Sequence, residues 1–135
     1  MIQNHNLTEL VQFLPESPHY TDVIPVYQAS DVVVSVPTSD GRPMSVLEAF
    51  ACGVPVIASD LPSLREWIQP AETGLLVPCD DSKVLAAAIL HLLTSPSLSQ
   101  HIQHAALDMV RERADHNRWM QFVERQYLEL TRSRP

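Results

Sequence analysis

The sequence predicts an α/β fold in which helices cover a parallel β-sheet. Three short aliphatic runs, at 32–36, 54–58 and 75–77, lack the alternation of polar and apolar residues that marks a half-buried strand. Such continuous runs are typical of parallel strands that are buried on both faces. Segments with helical spacing of apolar residues lie between and after them, and this alternation of strands and helices is the pattern of an α/β sheet.

The length and composition are those of one globular domain, which we assign to residues 1–135. Hydrophobic residues make up 45% and charged residues 19%, an ordinary globular balance. Nine basic and sixteen acidic residues give a net charge of −7, which argues against a nucleic-acid partner and against attachment to anionic lipids by charge alone. The start of the chain has no secretory signal, and Cys52 and Cys79 match no disulfide framework or metal spacing, so a cytoplasmic location is expected.

Three elements are predicted in the first third of the chain. Residues 11–14 form a short apolar run closed by a proline, and they predict a strand. Thr21 is expected to cap a helix that continues to Gln28. Residues 32–36 contain four valines, and they predict an inner strand that is buried on both faces and paired in parallel with the next strand.

The middle of the chain predicts a helix, two strands and a short helical piece. The helix covers 43–52, because proline suits a first helical turn and Gly53 suits a C-terminal cap. The strands cover 54–58 and 75–77, and the first of them is expected to be another inner strand. The helical piece covers 62–68.

Three helices are predicted over 80–130. The N-cap of the first is expected among three polar residues, Asp80, Asp81 and Ser82. The second helix covers 96–113. The third covers 115–130 and carries an apolar stripe made of Trp119, Phe122, Val123 and Tyr127. The aromatic residues of this stripe either pack on the core, which is the preferred interpretation, or form a docking surface.

Ligands of open α/β sheets bind outside the carboxyl ends of the strands, where three loops are expected here. These loops cover 15–20, 37–42 and 59–63. The helix that follows the second loop begins with N–H groups that have no helical acceptor, which is an anion site suited to a diphosphate. We expect the N–H groups of Met44 and Ser45 to be free for this purpose.

Glu48 is the only charged residue between Arg42 and Asp60. A carboxylate in so apolar a stretch is costly unless it is paired, hydrogen-bonded or near water. It lies either on the one solvated edge of its helix or where it accepts hydrogen bonds from ligand hydroxyls, and the spacing leaves both open. Asp40 lies eight residues earlier in the preceding loop, and we expect the two carboxylates to flank one cleft.

Three segments together resemble one enzyme family. Residues 39–59, SDGRPMSVLEAFACGVPVIAS, look like the Glu-x7-Glu segment of the family 4 retaining glycosyltransferases. Residues 27–32, YQASDV, resemble the helix-to-strand passage of that family, and residues 72–78, ETGLLVP, resemble its turn and strand. The segments occur in the right order, and the resemblance extends over most of the chain.

The resemblance implies a Rossmann-like domain, the later part of the C-terminal domain of the GT-B fold. It implies the donor-binding part of an enzyme that moves a hexose from a nucleotide diphosphate sugar to a hydroxyl acceptor with retention, without a metal or other cofactor. Glu48 matches the glutamate that binds the ribose hydroxyls of the donor. Asp40 stands where the first glutamate contacts the transferred hexose, and it is the implied catalytic residue. Backbone N–H groups between them are implied to hold the sugar and the diphosphate, at Gly41, Arg42, Met44 and Ser45.

The chain departs from the family pattern in several places. Asp40 is one methylene shorter than glutamate, Pro43 replaces a glycine and removes an N–H donor, and residues 61–63 replace a Gly-Gly turn. The upstream basic residues of the family and its N-terminal acceptor domain have no counterpart here. The resemblance therefore implies a missing acceptor domain or a separate partner half, a route through it to peripheral membrane association, and no transferase activity in the isolated chain.

The alternative interpretation is a non-catalytic α/β remnant or partner subunit, which an exposed apolar sheet edge beside residues 11–14 would favour. Two further groups are weaker candidates for a site. His101, His104 and Asp108 share one helix face, but no fourth metal ligand is evident, so a solvated face is the preferred interpretation. Glu66 either lines the donor pocket or lies on the surface with Arg65.

Overall fold

The computed structural model describes residue 7, residues 9–14 and residues 19–132 of the chain. Six helices and three strands occur in these ranges. In chain order they are α1 (Tyr20–Gln28), β1 (Val33–Ser35), α2 (Met44–Ala51), β2 (Val56–Ser59), α3 (Pro62–Arg65), β3 (Leu75–Val77), α4 (Ser82–Thr94), α5 (Pro96–Arg113) and α6 (His116–Arg132).

The three strands form one parallel sheet in the order β1-β2-β3, so the predicted α/β fold is confirmed. Val33 pairs with Val56, and Ile57 pairs with Leu75. All four residues of β2 are buried, as expected for an inner strand. The carboxyl ends of all three strands therefore meet at one edge of the sheet, where the loops before α2, α3 and α4 begin.

Side chains from opposite faces of the sheet pack into two hydrophobic clusters, because neighbouring strand residues point to opposite faces. One cluster joins Val56 and Ala58 to helices α2 and α3, with Phe50 and Leu64 fully buried. The other joins Ile57 to α4 and α5. Helix α5 contributes to both clusters, so it fixes α2 and α4 relative to the sheet.

The expected burial of the first strand on both faces is wrong. Val34 is 41% exposed and Val36 is 44% exposed, whereas Val33 packs against the cluster of α2. The physical reason is the position of β1, which is at the edge of the sheet among the described strands rather than inside it. Helix α4 packs on β2 and β3, and the same face of β1 stays open.

The strand predicted at residues 11–14 is also wrong. These residues are exposed and have no regular secondary structure, with Phe13 78% exposed. A strand requires a neighbour for its backbone N–H and C=O groups, and none of the described strands pairs with this segment. The predicted loop at 15–20 lies largely outside the described residues, and its last residue, Tyr20, begins α1.

The predicted helix ends are confirmed in part. His19, not Thr21, is the N-cap of α1, and its Nδ1 accepts a hydrogen bond from the Thr21 N–H at 3.4 Å. Asp81 is the N-cap of α4 and accepts hydrogen bonds from the N–H groups of Lys83 and Val84. Gly53 follows α2 with a φ of 71°, the left-handed conformation expected of a C-terminal glycine.

Core packing of the stripe on α6 is wrong for the two aromatic residues whose side chains are described. Phe122 is 50% exposed and Tyr127 is 66% exposed, and neither hydrophobic cluster includes any of the α6 side chains that the structure describes. The side chain of Trp119 lies outside the described part. Among the helices that the structure describes, none is long and apolar enough to cross a membrane.

Candidate functional site at the start of helix α2

Helix α2 follows β1 after a loop, and its two faces have different surroundings. Val46, Ala49 and Phe50 are fully buried against the sheet. Met44, Leu47, Glu48 and Ala51 follow one another at helical spacing on another side of the helix, where they border a cavity. The packing of the first face on β2 therefore fixes where the second face points.

The first turn of α2 begins with a tight bend at Pro43. Its φ of −80° and ψ of 64° are those of an inverse γ-turn, and the Met44 N–H donates to the Arg42 carbonyl oxygen at 2.8 Å. The expectation that the Met44 N–H is free is therefore wrong. The N–H groups of Ser45 and Val46 have no backbone acceptor among the described residues, because the first helical bond runs from Leu47 to Pro43.

Glu48 is half-buried and has a protein partner. The Tyr27 hydroxyl of α1 donates to its Oε2 at 3.2 Å. At Cys52, the C-cap of α2, burial raises the pKa of the thiol, and the negative charge of Glu48 raises this pKa further. Glu48 is thus neither fully solvated nor fully enclosed, and its second oxygen remains available to a ligand.

A cavity of about 500 Å³ lies between α2, the end of α5 and the loop after α3. We call it the α2–α5 cavity. Its lining combines polar groups with apolar walls, and consists of Arg42, Met44, Leu47, Glu48, Ala51, Trp67, Val110, Arg113, Ala114 and His116. The volume and mixed lining are those of a small-molecule site.

Three of the six residues predicted for the site line this cavity, namely Arg42, Met44 and Glu48. Asp40, Gly41 and Ser45 lie in the adjoining loop and first turn, and they are not part of its lining. Asp40 is half-exposed, and its carbonyl oxygen accepts a hydrogen bond from the Ser63 hydroxyl at 2.8 Å, which ties this loop to α3. The joint action of Asp40 and Glu48 on one ligand stays a prediction.

Four residues on the far wall of the cavity were not predicted for the site: Trp67, Val110, Arg113 and His116. The Arg113 guanidinium lies 4.7 Å from the centre of the Trp67 ring, and its Nη1 donates to the Glu66 carbonyl oxygen at 2.9 Å. Glu66 contributes this carbonyl, while its side chain is exposed and does not line the cavity. Arg113 is far from Trp67 in the chain, so no sequence motif links them.

The other charged candidates are engaged elsewhere. Arg65 forms an ion pair with Asp60 in the loop after β2, and its hydrogen bond lowers the pKa of the Asp60 carboxyl. His101 pairs with Glu72 at 2.9 Å, and His104 Nδ1 lies 2.7 Å from the Gln100 carbonyl oxygen. Within the described ranges, no group of three or more His, Cys, Asp or Glu residues is placed to hold a metal ion.

Known proteins are similar to this chain in both sequence and fold. D-inositol 3-phosphate glycosyltransferase from Rhodococcus erythropolis is 38% identical over 92 residues, which are 67% of this chain and 20% of that protein. Sucrose-phosphate synthase from Thermosynechococcus elongatus matches with a TM-score of 0.87 and 29% identity, over 98% of this chain and 33% of that chain. Alr3699/HepE from Anabaena, in complex with UDP and glucose, matches with a TM-score of 0.81 and 24% identity, over 98% of this chain and 35% of that chain.

These similarities confirm the expected Rossmann-like sheet of the GT-B kind. The chain spans between 10% and 29% of the length of the curated relatives reported as similar to it. The family model for glycosyl transferases group 1 matches residues 1–109, which is most of the chain. The chain belongs to the glycosyl transferases group 1 family.

Proposed function

We propose that this chain is the donor-binding part of a glycosyltransferase that moves a hexose from a nucleoside diphosphate sugar to a hydroxyl acceptor with retention. The observation that carries the proposal is the setting of Glu48, which lines a cavity of about 500 Å³ beside the start of α2. Family membership supports the reaction class, and the UDP and glucose held by a protein of the same fold support the ligand class.

Glu48 binds the ribose hydroxyls of the donor. A carboxylate accepts two hydrogen bonds from a vicinal diol, and such charge-assisted bonds are stronger than those between neutral groups. The Tyr27 hydroxyl donates to Glu48 Oε2 at 3.2 Å and thereby orients the carboxylate. Each carboxylate oxygen has two lone pairs, so Oε1 and the second lone pair of Oε2 can accept from the diol. The binding group is therefore positioned before the ligand arrives, which reduces the entropy lost on binding.

The start of α2 stabilises the diphosphate that leaves during transfer. The N–H groups of Ser45 and Val46 have no backbone acceptor among the described residues, and the positive end of the helix dipole lies at the same place. Donors aimed at the charge that develops in the transition state accelerate the reaction. Gly41 and Arg42 contribute to this end of the site through the loop before the helix.

Asp40 contacts the transferred hexose and positions it for reaction. Its hydrogen-bonded carbonyl holds the loop against α3, while its carboxylate is half-exposed and available. Correct placement of the reacting sugar is worth several kcal/mol of barrier in enzymes generally, on the order of 7 kcal/mol for well-oriented groups. In this proposal no metal takes part, because the helix start and basic side chains offset the phosphate charge.

The acceptor binds to a further N-terminal domain or partner half, which also provides any peripheral contact with a membrane, and the enzyme acts in the cytoplasm. The second candidate function is a non-catalytic α/β module that pairs with another subunit. The exposed Val34 and Val36 on the edge strand β1 favour it, because such an edge is a surface for association. The two candidates differ in nucleotide binding, which the second does not require.

The test is calorimetric titration of the chain with UDP, GDP and ADP and with the matching nucleotide sugars. We expect one nucleoside diphosphate to bind, and Glu48→Gln to weaken its binding by about 1–3 kcal/mol, the cost of losing charge-assisted hydrogen bonds. Glu66→Gln is the matched control, since its side chain is exposed outside the cavity. Binding by none of the ligands, or equal loss in both variants, would overturn the proposal in favour of the second candidate.

Asp40→Asn separates binding from catalysis. In an enzyme that contains this chain, we expect Asp40→Asn to leave free nucleotide affinity almost unchanged and to lower kcat, because the side chain acts on the reacting sugar. Glu48→Gln should instead weaken the nucleotide and the nucleotide sugar together. Steady-state kinetics beside the titrations check this division, and equal loss of nucleotide affinity in both variants would contradict it.

A further inference from the structure

The α2–α5 cavity is positively charged in a chain whose net charge is −7. Its lining includes the guanidinium groups of Arg42 and Arg113 and the imidazole of His116, against one carboxylate, Glu48. An excess of cationic donors around a cavity with apolar walls is the arrangement that binds an anionic small molecule. The charge of this cavity therefore differs from that of the molecule as a whole.

Neither arginine of the cavity has a carboxylate partner among the residues that the structure describes. Arg65 pairs with Asp60 and Arg111 lies 3.8 Å from Asp108, so each has a carboxylate partner. Among the described side chains, neither Arg42 nor Arg113 forms an ion pair. Unpaired guanidinium groups that border a cavity are available to a ligand.

Arg113 is also held in a fixed orientation. Its guanidinium stacks over the Trp67 ring at 4.7 Å, and its Nη1 donates to the Glu66 carbonyl oxygen at 2.9 Å. Neither partner carries a negative charge, so the cation is oriented without being neutralised. The remaining N–H groups of its planar fork match the geometry of a phosphate, and little entropy is lost when they bind one.

We propose that Arg113, together with Arg42 and His116, binds the phosphate groups of a ligand in the α2–α5 cavity. Arg113 and His116 lie after residue 109, where the match to the family model ends, so these residues are assigned from the geometry of this chain. The chemistry is that of a phosphoanion, and its source is the diphosphate of a nucleotide or free pyrophosphate. In its nucleotide form the inference rests on the proposed function.

Glu48 determines which part of the cavity the phosphates occupy. Its carboxylate repels a phosphate and attracts hydroxyl groups, whereas the opposite wall carries Arg113 stacked on Trp67. A nucleotide therefore lies with its ribose hydroxyls at Glu48 and its phosphates between Arg42, just before α2, and Arg113, at the end of α5. The apolar side chains of Leu47 and Val110 line the space between these ends.

The test compares wild type with Arg113→Ala by calorimetry, using UDP, GDP, ADP, their parent nucleosides and pyrophosphate as ligands. We expect Arg113→Ala to weaken the binding of nucleoside diphosphates and pyrophosphate at least tenfold, and to leave nucleoside binding unchanged. Arg113→Lys, which keeps the charge and loses the planar fork, should give an intermediate loss. Arg111→Ala is the matched control, because it removes the same charge from the same helix outside the cavity.

The inference is overturned if the wild type binds neither a nucleoside diphosphate nor pyrophosphate, or if Arg113→Ala binds them as tightly as the wild type does. It is also overturned if Arg113→Ala and Arg111→Ala lose the same affinity for these ligands. A fourth contradicting result is an equal loss of nucleoside and nucleoside diphosphate affinity in Arg113→Ala. The last would mean that Arg113 acts by holding Trp67 in place. If pyrophosphate binds through Arg113 and nucleoside diphosphates bind no more tightly, the inference stands and the proposed function fails.

Discussion

At the level of single residues, Glu48 interacts with three parts of the candidate site. It accepts a hydrogen bond from Tyr27, lines the α2–α5 cavity and raises the pKa of Cys52 through its charge. The pKa of the Cys52 thiol therefore depends on the charge of Glu48, and this dependence can be measured in the protein without a ligand. Cys79 provides an internal comparison, because it is exposed and lies beyond β3.

Thiol labelling should distinguish the two cysteines. Because only the thiolate reacts, and because burial and the charge of Glu48 both raise the pKa of Cys52, we expect Cys79 to react faster near pH 8. Glu48→Gln removes the charge, so the pH midpoint for labelling Cys52 should fall, while Cys79 should be unaffected. Mass spectrometry of iodoacetamide-treated protein across a pH series measures both rates.

Cys79→Ser and Cys52→Ser assign the fast and slow reactions in this experiment. Equal rates at the two cysteines, or a midpoint for Cys52 that does not move in Glu48→Gln, would contradict the prediction. The first result would mean that Cys52 is not shielded by burial. The second would mean that the charge of Glu48 does not reach it.

The sequence could predict Glu48 because a lone carboxylate in an apolar helix is visible without a structure. It could not predict Arg113, because the contact between Arg113 and Trp67 joins residues that are far apart in the chain and belong to no shared motif. The Met44 N–H was wrongly expected to be free, since that expectation depended on the ψ angle of Pro43. A ψ of 64° closes a γ-turn there, and residue type alone does not determine this angle.

At the level of elements, β2 and β3 are held together by a close approach at Gly74. A Cβ at this position would lie 2.9 Å from the Val56 carbonyl oxygen and 3.2 Å from Ile68 Cγ2. The carbonyl belongs to the inner strand and cannot move without disturbing its ladder. Glycine at this position therefore lets the chain enter β3 beside β2.

Gly74→Ala should destabilise the fold, by about 1–3 kcal/mol as for overpacked core positions generally. Gly41→Ala is the control, because nothing lies within 4 Å of a Cβ there, and its effect should stay within about 0.5 kcal/mol. Urea unfolding followed by circular dichroism measures both. Equal stability of the two variants would show that β2 and Ile68 adapt to the added methyl group.

The positions of most elements could be predicted because proline and glycine mark their ends. Residues 75–77 and 96–113 were predicted with the bounds that the structure has, since Pro78 ends the first segment and Pro96 begins the second. Residues 11–14 have the composition of a strand and are not one. Pairing decides whether an apolar run becomes a strand, and composition does not show whether a neighbour is present.

At the level of the whole molecule, one face of the three-stranded sheet is covered by helices, and the other face is partly open at β1. Parallel sheets are normally covered on both faces, yet Val34 and Val36 remain exposed while Val33 packs against the core. The valine-rich run correctly predicted a parallel strand. Its burial could not be predicted, because burial depends on what packs against β1 rather than on β1 itself.

This open side of β1 should be a site of association between molecules, since exposed apolar edge strands pair readily. Val34→Lys places a charge on the exposed side chain, and we expect it to reduce concentration-dependent association while changing the free energy of unfolding by no more than about 0.5 kcal/mol. Light scattering over a concentration series and urea unfolding provide the two measurements.

Val33→Lys is the control on the covered face, where an unpaired charge should cost about 2 kcal/mol or more. If wild type and Val34→Lys associate equally, or if both lysine variants lose the same stability, the side of β1 that carries Val34 is not the open one.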